Sequence, residues 1–199
     1  GCYYMTNQSP KRADGRVNLF VDSAEAVIAY QSGAVTLQEP VIVRFQGAQL
    51  ETCVGRLIFN EVLPPELQFF NKTADKKALK NIVAESLVRF GAPATAALLD
   101  RLKVLGFEYL TRSGLSWGMG DLPDLPIRRE IYHTAEAQIA TITDQYEQGL
   151  LTTEERHAKV IELWAQVKEQ VTEHARRALP THGSVFSMIE SGSRGSWGQ

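Results

Sequence analysis

The sequence has few cysteines and no long apolar run, and each absence excludes a class of protein. Its 199 residues include two cysteines, Cys2 and Cys53, which is too few for a disulfide framework or a cysteine-rich zinc site and fits a reducing compartment. No uninterrupted apolar run approaches the roughly 20 residues that span a membrane, so we expect no membrane partner. The net charge of -2 predicts no strong non-specific attraction to nucleic acid.

The usual signatures of a self-contained catalytic site are also missing. The chain has no Walker loop, no dinucleotide-binding glycine pattern after a strand and no zinc-type spacing of cysteine and histidine. "GLSWGMG" is rich in glycine but lacks the strand and helix that frame a nucleotide-binding loop. The four histidines are scattered along the chain. The sequence therefore predicts no catalytic residue and no metal ligand within this chain.

The first 125 residues predict one small domain of mixed helix and strand. Apolar residues make up 44% of the chain, enough for a core. Asp22 with Glu25 three residues later is typical of a helix start, and Gly33 of its end. The segments "PVIVRF", "TCVGRLIFNEV" and "FEYLTRSG" are bounded by turn residues and predict strands.

Two further helices are predicted between Lys76 and Gly106. "DKKALKNIVAESLVRFG" carries apolar residues at helical spacing, and Gly91 is expected to end that helix. Pro93 suits the first turn of the next helix, which we expect to end at Gly106.

From Ile127 the pattern changes to two long apolar stripes, which predict a helical hairpin over 127–179. Gly149 is expected to end the first helix, and Thr152 with Glu155 forms a capping box for the second. Because the break between the stripes is short, the helices must run antiparallel. Their narrow seam resembles a two-stranded coiled coil, with Trp164 expected in its core.

Together these patterns predict a mainly helical α+β chain. Its small mixed α/β domain is followed by a long antiparallel helical hairpin. From the residues alone, three functions stay open. The hairpin could belong to a larger assembly, or it could be a stand-alone adaptor that dimerises through its exposed stripe. A stand-alone enzyme is the weakest of the three, because no nucleophile and base are paired.

Several stretches, in order along the chain, resemble the largest-subunit family of multisubunit RNA polymerase in its bacterial β′ form. They include "GCYYMTNQ", "TCVGRLIFNEVLP", "FFNKTADKKALKNIV", "RFGAPATAALLDRLKVLGFEYLTRSGLSWGMGDL", "QYEQGLLTTEERHAKVIELW" and "MIESGSRGSWGQ". The last is similar to the family's Ser-Gly-Ala-Arg-Gly-Ser motif, with Ser193 in place of alanine. The resemblance covers Gly1 to Gln199.

The resemblance implies an internal segment of a longer subunit. Residues 1–125 would form the end of the pore domain, and 126–199 the funnel, with the rim helices of the secondary channel and a truncated glycine-rich loop. The aspartate motif that holds the catalytic magnesium would precede Gly1, and the bridge helix and trigger loop would follow Gln199. The segment alone would then hold no cofactor and catalyse nothing, whereas the cytoplasmic parent would be a nucleotidyltransferase, the DNA-directed RNA polymerase.

Two groups of site residues follow from the resemblance. The hairpin tip, in this family a docking place for Gre-type and DksA-type factors, would use Glu155, Arg156 and Lys159, with both basic side chains on the solvent side of the apolar stripe. His157 and Ala158 depart from the family's Tyr-Asn pair there. The loop proximal to the channel and its nucleoside triphosphates would use Ser191, Gly192, Arg194, Gly195 and Ser196. Arg194 could contact a triphosphate or be an exposed arginine in a loose end.

The implied partners are those of the parent enzyme. They are the β, α, ω and σ subunits, DNA and RNA held by the whole complex, the secondary-channel factors and nucleoside triphosphates in transit.

Overall fold

The computed structural model of the protein describes residues 1–11, 13 and 15–197. The chain divides into two compact units. The first consists of Gly1–Ser116 with Glu190–Ser193, and the second of Trp117–Ile189 with the residues from Arg194 onward.

The described residues form seven α-helices, three strands and two short 3-10 helices. In chain order they are α1 (Cys2–Thr6), β1 (Asn18–Phe20), α2 (Ser23–Gln31), β2 (Pro40–Phe45), β3 (Ala48–Cys53), α3 (Val54–Val62), a 3-10 turn (Pro65–Leu67), α4 (Lys76–Ser113), a 3-10 turn (Met119–Asp121), α5 (Ile127–Glu147), α6 (Thr153–Ala178) and α7 (Ser184–Glu190). This confirms the predicted fold class, a mainly helical chain with a small mixed sheet followed by two long helices in contact.

The sheet of the first unit has the order β1-β2-β3. β1 pairs with β2 in parallel, and β2 pairs with β3 antiparallel from Pro40↔Cys53 to Phe45↔Ala48. The turn between β2 and β3 consists of Gln46 and Gly47, both with positive φ (50° and 84°). Positive φ at both central residues is typical of the tight turns that match the twist of a two-stranded hairpin.

Two apolar clusters form the core of the first unit. The first joins α1, α2, β2, α3 and the end of α4, with Met5, Val41 and Val54 at or below 1% exposure. The second joins α3 to the middle of α4 around Phe59 and Leu98, both fully buried. Helix α3 contributes to both clusters and is therefore the central element of this unit.

Helix α3 corrects the prediction of a strand over "TCVGRLIFNEV". Only Thr52 and Cys53 belong to a strand, and the helix begins at Val54. Every residue from Val54 to Asn60 is buried. Because even Arg56 and Asn60 are buried, the segment has no solvent-exposed face, and its nearly continuous apolar run resembles that of a buried strand.

Helix α4 confirms the interruption at Gly91 and corrects its predicted end. Gly91 has non-helical dihedral angles (φ 76°, ψ 176°), and Pro93 lies in the first turn that follows. The helix does not end at Gly106 but continues to Ser113 and is capped by Gly114 (φ 61°). The predicted strand "FEYLTRSG" is therefore wrong.

Helix α4 also carries the segment closest in composition to a membrane span. An 18-residue window in it has a mean hydropathy of 1.4, enough in length and composition to cross a membrane. The expectation that no segment could span a membrane is therefore wrong when judged by length and composition alone. A single such helix is weak evidence that the chain inserts into a membrane. Gly91 interrupts the helical backbone, and Ile82, Leu98 and Leu102 are buried in the second cluster, although only 22% of the apolar window is buried.

In the second unit, α5 and α6 form the predicted hairpin. Their 21 and 26 residues correspond to rods of roughly 32 and 39 Å. They contact one another, and the five residues between them require an antiparallel arrangement. Ala135 and Val167 are buried in the seam.

Trp164 is not in the core of that seam, which corrects the sequence-based expectation. Its side chain is 42% exposed and meets the ring of Tyr132 edge-on, with centroids 6.2 Å apart. A seam of two helices has no third layer to cover a side chain as large as an indole, so the ring lies at its edge.

Candidate docking tip and glycine-rich loop

The hairpin tip is built by two helix caps. Helix α5 ends at Glu147, and Gly149 (φ 72°) turns the chain, as predicted. Helix α6 begins with a reciprocal capping box. Thr152 Oγ1 accepts a hydrogen bond from the backbone N–H of Glu155 (3.2 Å), and Glu155 Oε2 accepts one from the backbone N–H of Thr152 (2.8 Å).

The capping box determines the electrostatics of Glu155. Hydrogen bonds from the backbone and the side chain of Thr152 hold the pKa of the Glu155 carboxyl below its usual range, and Lys159 one turn later adds a smaller effect in the same direction. Its carboxylate also lies in the first turn of α6, where the helix dipole favours negative charge. Glu155 therefore stabilises the tip, and it could serve a partner only while remaining part of the cap.

We predict that the helicity of the hairpin decreases in acid through Glu155. Its pKa is lower in the folded chain than in the unfolded chain, where it is about 4.3. The carboxylate therefore stabilises the fold above that pH, and the stabilisation is lost as the pH falls through the folded-state value. Glu155→Gln should flatten this loss of helicity, which circular dichroism at 222 nm measures as the pH falls below about 5.

Glu154→Gln is the matched control, because it removes the same charge from the same turn without touching the capping box. An acid transition that is equal in the two variants would mean that the box does not couple Glu155 to helix stability.

Arg156 and Lys159 occupy different environments at the tip. The guanidinium of Arg156 lies over the ring of Tyr146, 4.5 Å from its centroid, so this half-buried residue ties α6 to the end of α5. The expectation that both side chains lie on the solvent side holds only for Lys159, which is exposed. The spacing of the apolar stripe places Arg156 on the solvent side, but the ring of Tyr146 at the end of α5 extends far enough to contact its guanidinium.

The first part of the glycine-rich loop belongs to the first unit. The carbonyl of Ser191 accepts a hydrogen bond from the backbone N–H of Lys76 (3.0 Å), in the first turn of α4. Gly192 has a φ of 72°, and a Cβ there would lie 3.1 Å from Cβ of Lys76. The backbone at Ser191 and Gly192 is therefore closely packed, and a larger residue than glycine would be strained.

The second part of the loop belongs to the second unit. The backbone N–H of Arg194 donates to the carbonyl of Met188 in α7 (3.3 Å), and Gly195 packs near Ile189. The side chain of Arg194 is exposed, and so is Ser196. Within the described second unit, the loop and the hairpin tip lie at opposite ends of α6, because Trp197 contacts Arg176 in its last turn. Within this unit, Arg194, Gly195 and Ser196 therefore lie apart from the tip residues.

Sequence reasoning missed a buried polar network centred on Arg56. Its Nε donates to the carbonyl of Thr6 (2.9 Å), and its Nη1 donates to Gln8 Oε1 (3.2 Å) and to Asn71 Oδ1 (3.1 Å). Asn60, one turn later on α3, donates to the carbonyl of Phe70 (2.9 Å). Burial lowers the pKa of the Arg56 guanidinium, while the nearby Cys53 raises it.

The network joins α1, α3 and the segment before α4. The available signal was an arginine and an asparagine at helical spacing inside the apolar run "VGRLIFN", but that run was interpreted as a strand. All the hydrogen-bond acceptors of Arg56 are neutral, so the network is a structural element of the core.

The described residues offer no cluster for a metal. Among residues 1–11, 13 and 15–197, no group of three or more His, Cys, Asp or Glu side chains could hold an ion. Cys2 and Cys53 are free thiols.

Comparison with known proteins agrees with this fold. A family model described as RNA polymerase Rpb1, domain 3, matches residues 1–122. This match covers more than half of the chain, and the chain belongs to that family. The resemblance found in the sequence is thereby confirmed at the level of the family.

The curated relatives of the chain are subunits of bacterial RNA polymerase. It is 43% identical to DNA-directed RNA polymerase subunit beta' of Desulforudis audaxviator over 197 residues, 98% of this chain and 17% of the relative. It is 41% identical to the same subunit of Pelotomaculum thermopropionicum, with 98% and 17% covered, and 34% identical to that of Kineococcus radiotolerans, with 100% and 17% covered. The chain thus spans about 17% of the length of these relatives.

Proposed function

We propose that this chain is part of the β′ subunit of a bacterial DNA-directed RNA polymerase and acts in DNA-templated transcription in the cytoplasm. The observation that carries the proposal is an identity of 43% to a β′ subunit along 98% of the chain, across both units. Nucleotidyl transfer would be the activity of the whole enzyme, with magnesium bound outside this segment. Its partners would be the β, α, ω and σ subunits, with DNA and RNA held by the complex.

An exposed apolar face on α4 supports a place in a larger assembly. Leu99, Phe107 and Leu110 are exposed on one side of this helix, beside the face that carries the buried Leu98, Leu102 and Tyr109, and Phe107 is 67% exposed. Apolar side chains grouped on one face of a helix are typical of a surface that contacts another part of a protein. A stand-alone adaptor would need its exposed stripe on the hairpin instead, and the β′ identity along the whole chain disfavours it.

Within the subunit, we propose that residues 1–125 complete the pore domain and that residues 126–199 form the funnel around the secondary channel. Nucleoside triphosphates would enter by this route, and the 3′ end of backtracked RNA would leave by it. Ser191, Gly192, Arg194, Gly195 and Ser196 would lie near the nucleotides. The exposed guanidinium of Arg194 supports this role, because two parallel N–H groups match a phosphate.

The hairpin would be the docking post for Gre-type and DksA-type factors. Rigid helices lose little conformational freedom on binding, and the capping box fixes the start of α6. We propose a different role for each of the three tip residues. Glu155 would hold the cap and Arg156 would hold the two helices together over Tyr146, as their contacts support, and Lys159 would offer its charge to a partner.

The proposal is tested by reversing the charge of Lys159 in the assembled enzyme. We expect Lys159→Glu to raise the factor concentration for half-maximal cleavage of a backtracked transcript by about threefold to tenfold, equivalent to roughly 0.7–1.4 kcal/mol. The defect should shrink as salt is added, since charges at the rim of an interface act through screened electrostatics.

Lys168→Glu provides the matched control. It makes the same change on an exposed lysine of α6, nine residues or about 14 Å further from the tip. If both variants and the parent depend equally on factor concentration, the tip is not the docking surface for that factor.

A further inference from the structure

The segment that follows Arg194 is packed against the second unit by an aromatic contact. Trp197 is half-buried and meets Phe186 of α7 edge-on, with ring centroids 5.5 Å apart at 62°. The guanidinium of Arg176, in the last turn of α6, lies 5.1 Å from the centroid of the same indole. Two elements of the unit thus hold one ring.

The backbone before Trp197 is fixed at two further points. The N–H of Arg194 donates to the carbonyl of Met188, and a Cβ on Gly195 would lie 3.4 Å from Cγ1 of Ile189. Arg194 therefore lies between an anchor at its own amide and an anchor three residues later. Its side chain is exposed.

We infer that Trp197 is a positioning residue that fixes the backbone from which the side chain of Arg194 extends. Gly195 has a φ of 77° and gives the loop no side chain of its own to hold it, so the ring of Trp197 supplies the missing packing. A charged group held in one place binds an anion without first losing the freedom of a loose loop. That consequence for nucleoside triphosphates rests on the role proposed for Arg194, whereas the anchoring of the loop does not.

The anchoring is tested in the 199-residue chain by hydrogen exchange. We expect Trp197→Ala to speed the exchange of the Arg194 amide, which donates to the carbonyl of Met188, by at least about tenfold, because the loop then opens locally. Trp197→Phe keeps a ring against Phe186 and should recover part of the protection. Trp117→Ala, which removes an indole that is 58% exposed in the same unit, is the control and should leave this amide unchanged. Equal exchange in Trp197→Ala and the parent overturns the inference.

The link to nucleotides is tested separately in RNA polymerase assembled with the full-length subunit. Arg194→Ala and Trp197→Ala should each raise the KM for nucleoside triphosphates by about threefold to tenfold with kcat unchanged. Trp197→Phe should recover part of the loss, and the double variant should be no worse than Arg194→Ala alone. If Arg194→Ala changes KM and Trp197→Ala does not, the positioning role is overturned. If neither changes KM while exchange is faster in Trp197→Ala, the nucleotide role of Arg194 fails and the anchoring stands.

Discussion

Replacing Gly55 by alanine should lower the free energy of unfolding of the first unit by at least about 3 kcal/mol. Gly55 lies in the first turn of α3, where a Cβ would overlap the backbone carbonyl of Met5 in α1. The glycine cannot move away, because its N–H donates to the carbonyl of Leu37 (2.8 Å). Met5 is fully buried and cannot move away either. Overpacking in a core typically costs about 1–3 kcal/mol. Because neither backbone can shift to make room for the new Cβ, we expect the cost here to be at or above the upper end of that range.

The measurement must separate the two units. All three tryptophans lie in the second unit, so their fluorescence reports that unit, whereas hydrogen exchange in α1 and α3 reports the first. Gly120→Ala is the control, since a Cβ there meets no atom within 4 Å. We expect it to change stability by less than about 0.5 kcal/mol. If the amides of α1 and α3 exchange at the same rate in Gly55→Ala and in the parent, the two helices do not approach each other as closely as described.

Local signals in the sequence were sufficient to predict α2 and the hairpin. The side chain of Asp22 accepts from the N–H of Glu25, as the capping pattern predicted. The capping box at Thr152 and the turn at Gly149 were likewise predicted from residues that lie within four positions of each other. Such caps depend on neighbours in sequence, so they can be recognised without knowing the tertiary structure.

Elements inside the core were harder to predict, because a fully buried segment has no solvent-exposed face whose polar residues would distinguish helix from strand. This explains the error at α3, where Arg56 and Asn60 are buried with the apolar residues around them. In the last part of α4 a usable signal was present. Leu98, Leu102 and Tyr109 are buried at helical spacing across Gly106, and a glycine inside a helix does not by itself end it.

The candidate sites could be predicted as residues but not as contacts. The placement of Arg156 over Tyr146 and of Arg176 over Trp197 depends on which way long side chains turn after the helices have formed. The Arg56 network joins residues 48 and 50 positions apart, and no spacing rule connects them. Because the partners of a buried polar group are set by tertiary packing, they could be found only in the structure.

Removing the guanidinium of Arg56 should destabilise the first unit by about 2–4 kcal/mol. Arg56→Met keeps most of the length of the side chain but removes all its hydrogen-bond donors. The carbonyl of Thr6, a residue with no exposed surface, then loses the bond from Nε, and Gln8 loses the bond from Nη1. Asn71 retains the bond that its Oδ1 accepts from Thr52 (2.9 Å), which limits the loss. An unpaired buried acceptor costs about 1–3 kcal/mol, and more when its donor was charged.

Two further variants separate the network from simple packing and charge. Arg56→Lys keeps the positive charge, but an ammonium group cannot bond Thr6 and Asn71 at once with the geometry of a guanidinium, so we expect it to recover less than half of the loss. Arg101→Met removes an exposed arginine of α4 in the same unit and should change stability by less than about 0.5 kcal/mol. The comparison is made by urea denaturation, with hydrogen exchange in α1 and α3 as the measure of unfolding.

If Arg56→Met and Arg101→Met unfold at the same urea concentration, the hydrogen bonds of Arg56 contribute nothing to the joining of α1, α3 and the segment before α4. If Arg56→Lys is as stable as the parent, the positive charge is sufficient and the forked geometry of the guanidinium is not what the core requires.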